Sequence, residues 1–237
     1  MLLFYIRHGD PIYNPDCLTE FGKLQADALS KRLALFGIDK IYSSTSIRAL
    51  QTAEPTARLL HKEIIQQDWC LERYVMQELG VLVDGKRRWL FQRPEYRRLF
   101  VSKGMEQLGH RWWSHPAFAE YEYQKGYERI QQEAYKFLEA LGYKYDDTIG
   151  AYRVLCENDE RVALFAHQGF GMAFMSAVLN IPYPKFCISF DFGHSSMTVI
   201  EFRNEEGISI PQVLSLSNDS HLYREGLPTN YQNRIGF

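Results

Sequence analysis

Apolar residues recur along this chain with two different periods. Leu2-Leu3-Phe4-Tyr5-Ile6 is an uninterrupted apolar run that stops at Gly9, and Arg161 to Ala166 (RVALFA) is another. Runs of that kind fit strands buried on both faces of a parallel sheet. Between them the spacing turns helical. Phe21, Leu24, Ala28, Leu29, Leu33 and Phe36 follow Thr19, a suitable N-cap, and Gly37 ends the segment. Lys40 to Ser43 reads as a short strand. Ile47 to Leu60 reads as a helix, with Pro55 imposing either a kink or a late start. Gly169 to Leu179 is a further apolar helix, and Met197 to Phe202 and Gln212 to Leu216 read as late strands.

From about Arg73 to Glu160 the pattern changes. Three of the four tryptophans and many arginines and tyrosines lie there, and Tyr127, Ile130, Ala134, Phe137, Leu138 and Leu141 mark an amphipathic helix ending at Gly142. The segment reads as a largely helical insertion at about 73–160 in a single domain spanning 1–237. Strand and helix alternating at this spacing predict an α/β/α sandwich with a mostly parallel sheet. No internal repeat or low-complexity tract interrupts it.

Composition narrows the class. The 237 residues are 46% hydrophobic and 24% charged with a formal charge of −2, which excludes a disordered chain and argues against a dedicated nucleic-acid binder. Cys17, Cys70, Cys156 and Cys187 are widely separated and form no CxxC pair, so neither a zinc ribbon nor a disulfide framework is indicated. No apolar stretch approaches the ~20 residues of a membrane span. The first apolar run meets Arg7 and His8 too soon for a signal peptide. The expectation is a soluble, reduced, cytoplasmic protein with no membrane partner.

Candidate chemistry begins where the strands end. Arg7-His8-Gly9 follows the first apolar run and Ala166-His167-Gln168-Gly169 the other. Ligands bind at the carboxyl ends of strands in open α/β sheets. Two such histidines can meet above one sheet edge, although each alone could be an ordinary half-buried histidine. Arg48 follows the second strand near a helix start, where free N–H groups and the positive dipole end favour an anion. Arg7 and Arg48 could hold a phosphate dianion through their guanidinium forks. Arg48 could instead pair with Glu54 or Asp39. No third ligand accompanies His8 and His167 at metal-binding spacing.

Four stretches together, LFYIRHGDPIYN from Leu3, LTEFGKLQADAL from Leu18, IYSSTSIRALQTA from Ile41 and LFAHQG from Leu164, resemble the histidine phosphatase superfamily, the phosphoglycerate mutase-like proteins. The ending Ser220-His221-Leu222-Tyr223 with Gly226-Leu227-Pro228 is similar to bacterial members. The resemblance implies a three-layer α/β/α fold and a metal-free phosphatase of phosphate monoesters that needs no cofactor. It implies that His8 attacks phosphorus and becomes a phosphohistidine. Arg7, Arg48 and His167 would form the phosphate pocket, with His167 protonated, and Asn14 and Gln168 would also bind substrate. Two departures stand out: Asp10 replaces the usual glutamate, and the segment between Asn14 and LTEFG is nearly absent.

A leaving alkoxide needs a proton, which the family takes from a glutamate after the QTA helix and the next strand. Glu72, in Asp68-Trp69-Cys70-Leu71-Glu72-Arg73, is the first choice and Glu78 the second. Glu72 could alternatively form a salt bridge to Arg73 or Arg88. A phosphoglycerate-type mutase and a non-catalytic module that binds phosphorylated ligands are the alternative functions. Between Tyr74 and Arg111 lie eight Lys/Arg against four acids. That excess could be a lid steering anionic substrates or a solvated face. His194, in Gly193-His194-Ser195-Ser196, could approach the site from a loop.

Overall fold

A computed structural model describes residues 1–229, and residues 230–237 of the expected 1–237 domain lie outside the description. The first strand, β1 (Leu2–Arg7), is buried from Leu3 onward. A small hairpin follows, β2 (Pro11–Tyr13) with β3 (Asp16–Leu18). Helix α1 (Glu20–Phe36) starts at Thr19, whose hydroxyl accepts from the Gly22 amide, and ends at Gly37 with φ +72°. Then come β4 (Lys40–Ser44), α2 (Ile47–Leu60) and β5 (Ile64–Gln67). Helix α2 runs through Pro55, which lies on its buried face, so the late-start alternative does not hold.

The next stretch holds α3 (Glu72–Leu79), the hairpin β6 (Gly80–Val83) and β7 (Lys86–Trp89), α4 (Pro94–Phe100), α5 (Lys103–Leu108), α6 (Tyr123–Ala140), and the pair β8 (Tyr143–Asp146) and β9 (Ala151–Val154). β10 (Arg161–Ala166) returns to the sheet and leads into α7 (Gln168–Val178) and α8 (Tyr183–Ser189). The chain continues through β11 (Met197–Glu201), β12 (Ile208–Ser209), β13 (Gln212–Asn218) and α9 (Ser220–Arg224).

The main sheet has the order β13-β11-β1-β10-β4-β5. β1, β10, β4 and β5 are parallel, while β11 is antiparallel to β1 and β13 to β11. Two apolar clusters cover its faces. One joins Phe4, Ile6, Leu29, Leu33 and Ala53, and so seats α1 and α2. The other joins Leu3, Tyr5, Leu164 and Phe174 to Trp112, Tyr123, Ile130 and Leu138. The 73–160 segment shares the core of the sheet's second face. Its α6 packs beside α7 in the second helical layer, and its aromatic residues share that layer's core. The segment also contains two hairpins, more strand than its sequence suggests.

Candidate active site

The in-register pairing of β1 with β10 sets Arg7 beside Ala166, so the loops after both strands emerge at one edge. His8 and His167 stand there with ring centroids 5.3 Å apart, both buried. The loop after β1 packs against the start of α1 backbone to backbone. A Cβ on Gly9 would lie 2.7 Å from the Gly22 carbonyl oxygen, and one on Gly22 would lie 2.2 Å from that of Asp10. Both positions therefore require glycine. The Gly9 amide donates to Thr52 Oγ1 at 3.0 Å, tying the loop to α2.

Hydrogen bonding fixes the tautomers. His8 Nδ1 is 2.7 Å from the Gly9 carbonyl oxygen, which can only accept, so Nδ1 carries the proton and Nε2 keeps its lone pair. Arg48 Nη2 is 3.1 Å from His167 Nδ1, so that nitrogen accepts and Nε2–H donates to Ser44 Oγ at 2.8 Å. Burial, then the neighbouring charges of His167, Arg7 and Arg48, push the His8 pKa well below the usual imidazole value. Burial followed by Arg48 and Arg7 does the same to His167. Burial, with Arg48 and Arg7 beside it, favours the neutral form of His167. The protonated His167 expected during phosphoryl transfer would therefore need a bound dianion to offset the two guanidinium groups.

Arg48 is buried, and its carboxylate partner is neither Glu54 nor Asp39 but Asp16, at 2.7 Å, from the hairpin before α1. The other Asp16 oxygen accepts from the Ile47 amide at the start of α2. Arg7 Nη1 donates to the Phe192 carbonyl at 2.5 Å. The Nε atoms of Arg7 and Arg48 are buried and have no hydrogen-bond partner among the described residues. Buried donors without partners are uncommon and call for an acceptor.

Arg7, His8 and Arg48 line a cavity of about 630 Å³ together with Tyr13, Glu72, Met76, Trp89, Gln168 and His194, and with Arg73, Arg87 and Arg88. Glu72 accepts from the Gly169 and Phe170 amides, each at 2.9 Å, at the start of α7. Burial raises its pKa above the usual carboxylate value, against the two amides and then Arg48 and Arg7, which oppose the rise. Glu78 points elsewhere and forms a two-pronged pair with Arg129 at 2.6 Å per contact. Gln168 is buried and donates to Asp191. Asn14 sits exposed at the tip of the β2–β3 hairpin and does not line the cavity. The shortened segment closes into a tight hairpin that turns Tyr13 to the cavity instead, with the Arg48 guanidinium 5.4 Å from the Tyr13 ring centre.

Sequence reasoning left Asp16 and Trp89 out of the site. A Cβ on Gly169 would lie 2.3 Å from the Trp89 ring, so the indole rests directly on the α7 backbone and roofs the cavity. Neither residue carries a local signal, since both act through partners distant in sequence. Among the described residues no group of three or more His, Cys, Asp or Glu side chains is arranged to hold a metal ion, and no helix is long and apolar enough to cross a membrane.

An α/β/α sandwich with two histidines and two arginines at the end of its parallel strands is the phosphoglycerate mutase-like fold. Residues 3–77, which contain Arg7, His8, Arg48 and Glu72, match the family model described as histidine phosphatase superfamily (branch 1), and that match supports a phosphatase. The chain is similar in structure to phosphoserine phosphatase from Entamoeba histolytica, solved with 3-phosphoglyceric acid. The identity there is 19%, the coverage is 93% of this chain and 98% of that one, and the TM-score is 0.60. It is also similar to mycobacterial glucosyl-3-phosphoglycerate phosphatase solved with VO3. That comparison gives 20% identity, coverage of 90% and 97%, and a TM-score of 0.59. No curated protein matches the chain by sequence.

Proposed function

We propose that this chain hydrolyses phosphate monoesters through a phosphohistidine at His8, without a metal ion. One observation carries the reading: a buried histidine, held through Nδ1 by the Gly9 carbonyl, shares one cavity with two buried arginines whose Nε donors have no partner among the described residues. A phosphoryl group supplies the acceptors those donors need, and a neutral imidazole approaches a dianion without charge repulsion.

In the first step His8 Nε2 attacks phosphorus and the P–O bond to the alcohol breaks. The departing oxygen takes the Glu72 proton. In the second step water attacks phosphorus, gives its proton to the Glu72 carboxylate, and the P–N bond breaks to return His8 and release phosphate. Arg7 and Arg48 stabilise the phosphoryl oxygens in both steps. His167 is neutral at rest and gains proton affinity when a dianion binds. Gln168 borders the same cavity as a substrate contact. The substrate is a small phosphorylated molecule rather than a nucleic acid. Four unpaired cysteines suit a reducing, cytoplasmic compartment.

The test is hydrolysis of an aryl phosphate by the parent and by His8→Ala. Loss of the covalent nucleophile lowers kcat by several orders of magnitude while the thermal transition survives. Activity within about tenfold of the parent would exclude His8 as the nucleophile. Orthovanadate inhibits competitively, and dialysis against EDTA leaves the rate unchanged.

A further inference from the structure

His194 is the third imidazole of the site. Its ring centre lies 5.6 Å from that of His8, on the loop before β11. It borders the catalytic cavity and, together with Arg7, a second cavity of about 250 Å³ behind it. Arg7 Nη2 lies 2.7 Å from His194 Nε2. A guanidinium only donates, so Nε2 is the lone-pair nitrogen and the ring proton sits on Nδ1. That nitrogen faces Asp10 Oδ1 at 3.4 Å. Asp10 is itself anchored, since Thr19 Oγ1 donates to its other oxygen at 2.8 Å and Gln25 accepts from its amide at 2.7 Å.

The loop is held as firmly as the ring. The Ser195 amide donates to the His8 carbonyl at 3.1 Å, and Ser195 takes a left-handed φ of +57°. Ser195 Oγ is 3.1 Å from His221 Nε2 on α9, and the Gly193 amide donates to Ser217 Oγ at 2.9 Å. The Phe192 carbonyl that receives Arg7 Nη1 belongs to the same loop. Both terminal nitrogens of Arg7 are thus bound by one rigid segment.

We propose that His194 is a positioning residue for Arg7: as a neutral imidazole protonated on Nδ1 and steered by Asp10, it accepts the hydrogen bond that aims the guanidinium at the phosphoryl group. This rests on the phosphatase reading of the site. The charged and titratable groups facing the imidazole are Arg7, His8 and Asp10, with Asp191 and Asp219 across the smaller cavity. Burial and then Arg7 push its pKa down to about 3, in keeping with the neutral form. The shorter Asp10, standing where the family usually has glutamate, bonds to Thr19 through one oxygen and leaves the other for the ring.

The experiment compares His194→Phe, His194→Asn and His194→Gln on an aryl phosphate and with orthovanadate. Phe removes the acceptor, and Asn places its amide near the Nδ1 position. Gln returns an oxygen near Nε2. The expected result is a loss of about 10- to 100-fold in kcat/KM for Phe and Asn, with a parallel rise in the vanadate Ki and an unchanged thermal transition. Gln restores at least about a third of the parent kcat/KM, because it again satisfies Arg7. Phe within about threefold of the parent would overturn the proposal, since a lost hydrogen bond to a charged donor costs more. Imidazole 15N spectra of the parent give a readout independent of turnover. The Nδ1–H tautomer at pH 7 supports the proposal even if no ester is hydrolysed, and an Nε2–H tautomer or an imidazolium at His194 refutes it.

Discussion

Arg48 donates through Nη2 to Nδ1 of His167, 3.1 Å away, while its Nη1 is held 2.7 Å from the Asp16 carboxylate. The arginine is thus shared between a neutral imidazole and an anion before any ligand arrives. The site therefore has less positive charge than two arginines and two protonated histidines would give it. Burial first, and then the arginines, favour the neutral form of both histidines.

That arrangement makes stability depend on pH. His8 and His167 titrate well below the usual imidazole value, His221 at about 4 and His194 at about 3. In the unfolded chain each returns to about 6.5. Folded values that are depressed mean that the unfolded state binds more protons below pH 6.5. Stability is then full above that value and is lost as pH falls toward the folded pKa values. Each linked histidine contributes a slope of up to about 1.4 kcal/mol per pH unit. The expected outcome is a urea midpoint that drops between pH 7 and pH 5, with a shallower drop in His221→Asn. A midpoint independent of pH across that window contradicts buried neutral histidines.

Glu72→Gln should slow chemistry by roughly 10²–10⁴ in kcat with only a modest change in KM, since a proton donor acts in the transition state. The loss is largest for alkyl phosphates and shrinks for activated aryl phosphates, whose leaving group needs no proton. Because burial raises the Glu72 pKa and its acid form is the proposed donor, alkyl-ester activity should fall as pH rises through that value. Glu72→Gln removes this limb. Glu78→Gln disturbs only the half-exposed pair with Arg129 and leaves both the leaving-group dependence and the limb intact. Leaving-group dependence lost in the Glu78 variant and retained in the Glu72 variant would reverse the assignment.

The parts legible in the sequence are those fixed by local pattern. The apolar runs that precede Arg7-His8 and His167 announced parallel strands, and parallel strands put their terminal loops at one edge. Thr19 and Gly37 announced both ends of α1. The parts that were not legible depend on partners far along the chain. β5 is a polar edge strand, Ile64-Ile65-Gln66-Gln67, without an apolar run to mark it. Asp16 reaches Arg48 only because the shortened loop folds back as a hairpin, and the same hairpin carries Asn14 away from the cavity. The resemblance placed residue 14 by its position in a motif, whereas loop length decided where it went. α6 read correctly as an amphipathic helix, but nothing in its spacing showed that it belongs to the layer beside α7.

Trp89 offers a test of how the β6–β7 hairpin is held over the site. Any side chain at residue 169 meets the indole at 2.3–2.4 Å, so Gly169→Ala forces the hairpin to move. The Gly169 amide also donates to Glu72, so the displacement disturbs the proposed proton donor. Gly169→Ala should lower kcat/KM for alkyl phosphates by at least about tenfold and weaken the fold by about 1–3 kcal/mol, the usual cost of overpacking. Adding Trp89→Leu makes room for the new methyl group and should recover part of both losses, a non-additivity expected for residues in contact. Strictly additive effects in the double variant would mean that the two residues do not touch.

The cavity mouth carries the remaining chemical signal. Arg73, Arg87 and Arg88 border it with Arg7 and Arg48, and the single carboxylate in the lining is Glu72. Among the described residues none of the three rim arginines lies within salt-bridge distance of an acid. Arg87 donates to the Gly80 carbonyl, and Arg88 is exposed on the strand that Trp89 anchors. A rim of this sign draws anionic substrates inward, by long-range attraction that salt screens within about 10 Å at 0.1 M. Arg88→Glu should therefore raise KM for a phosphate monoester several-fold while leaving kcat within about twofold, because the residue lies outside the phosphate pocket. The parent's kcat/KM should fall as NaCl rises from about 20 to 300 mM, and the variant's should fall less steeply. Equal salt dependence in parent and variant would show that the rim arginines are only a solvated face, and that the charge guiding substrate resides in Arg7 and Arg48 alone.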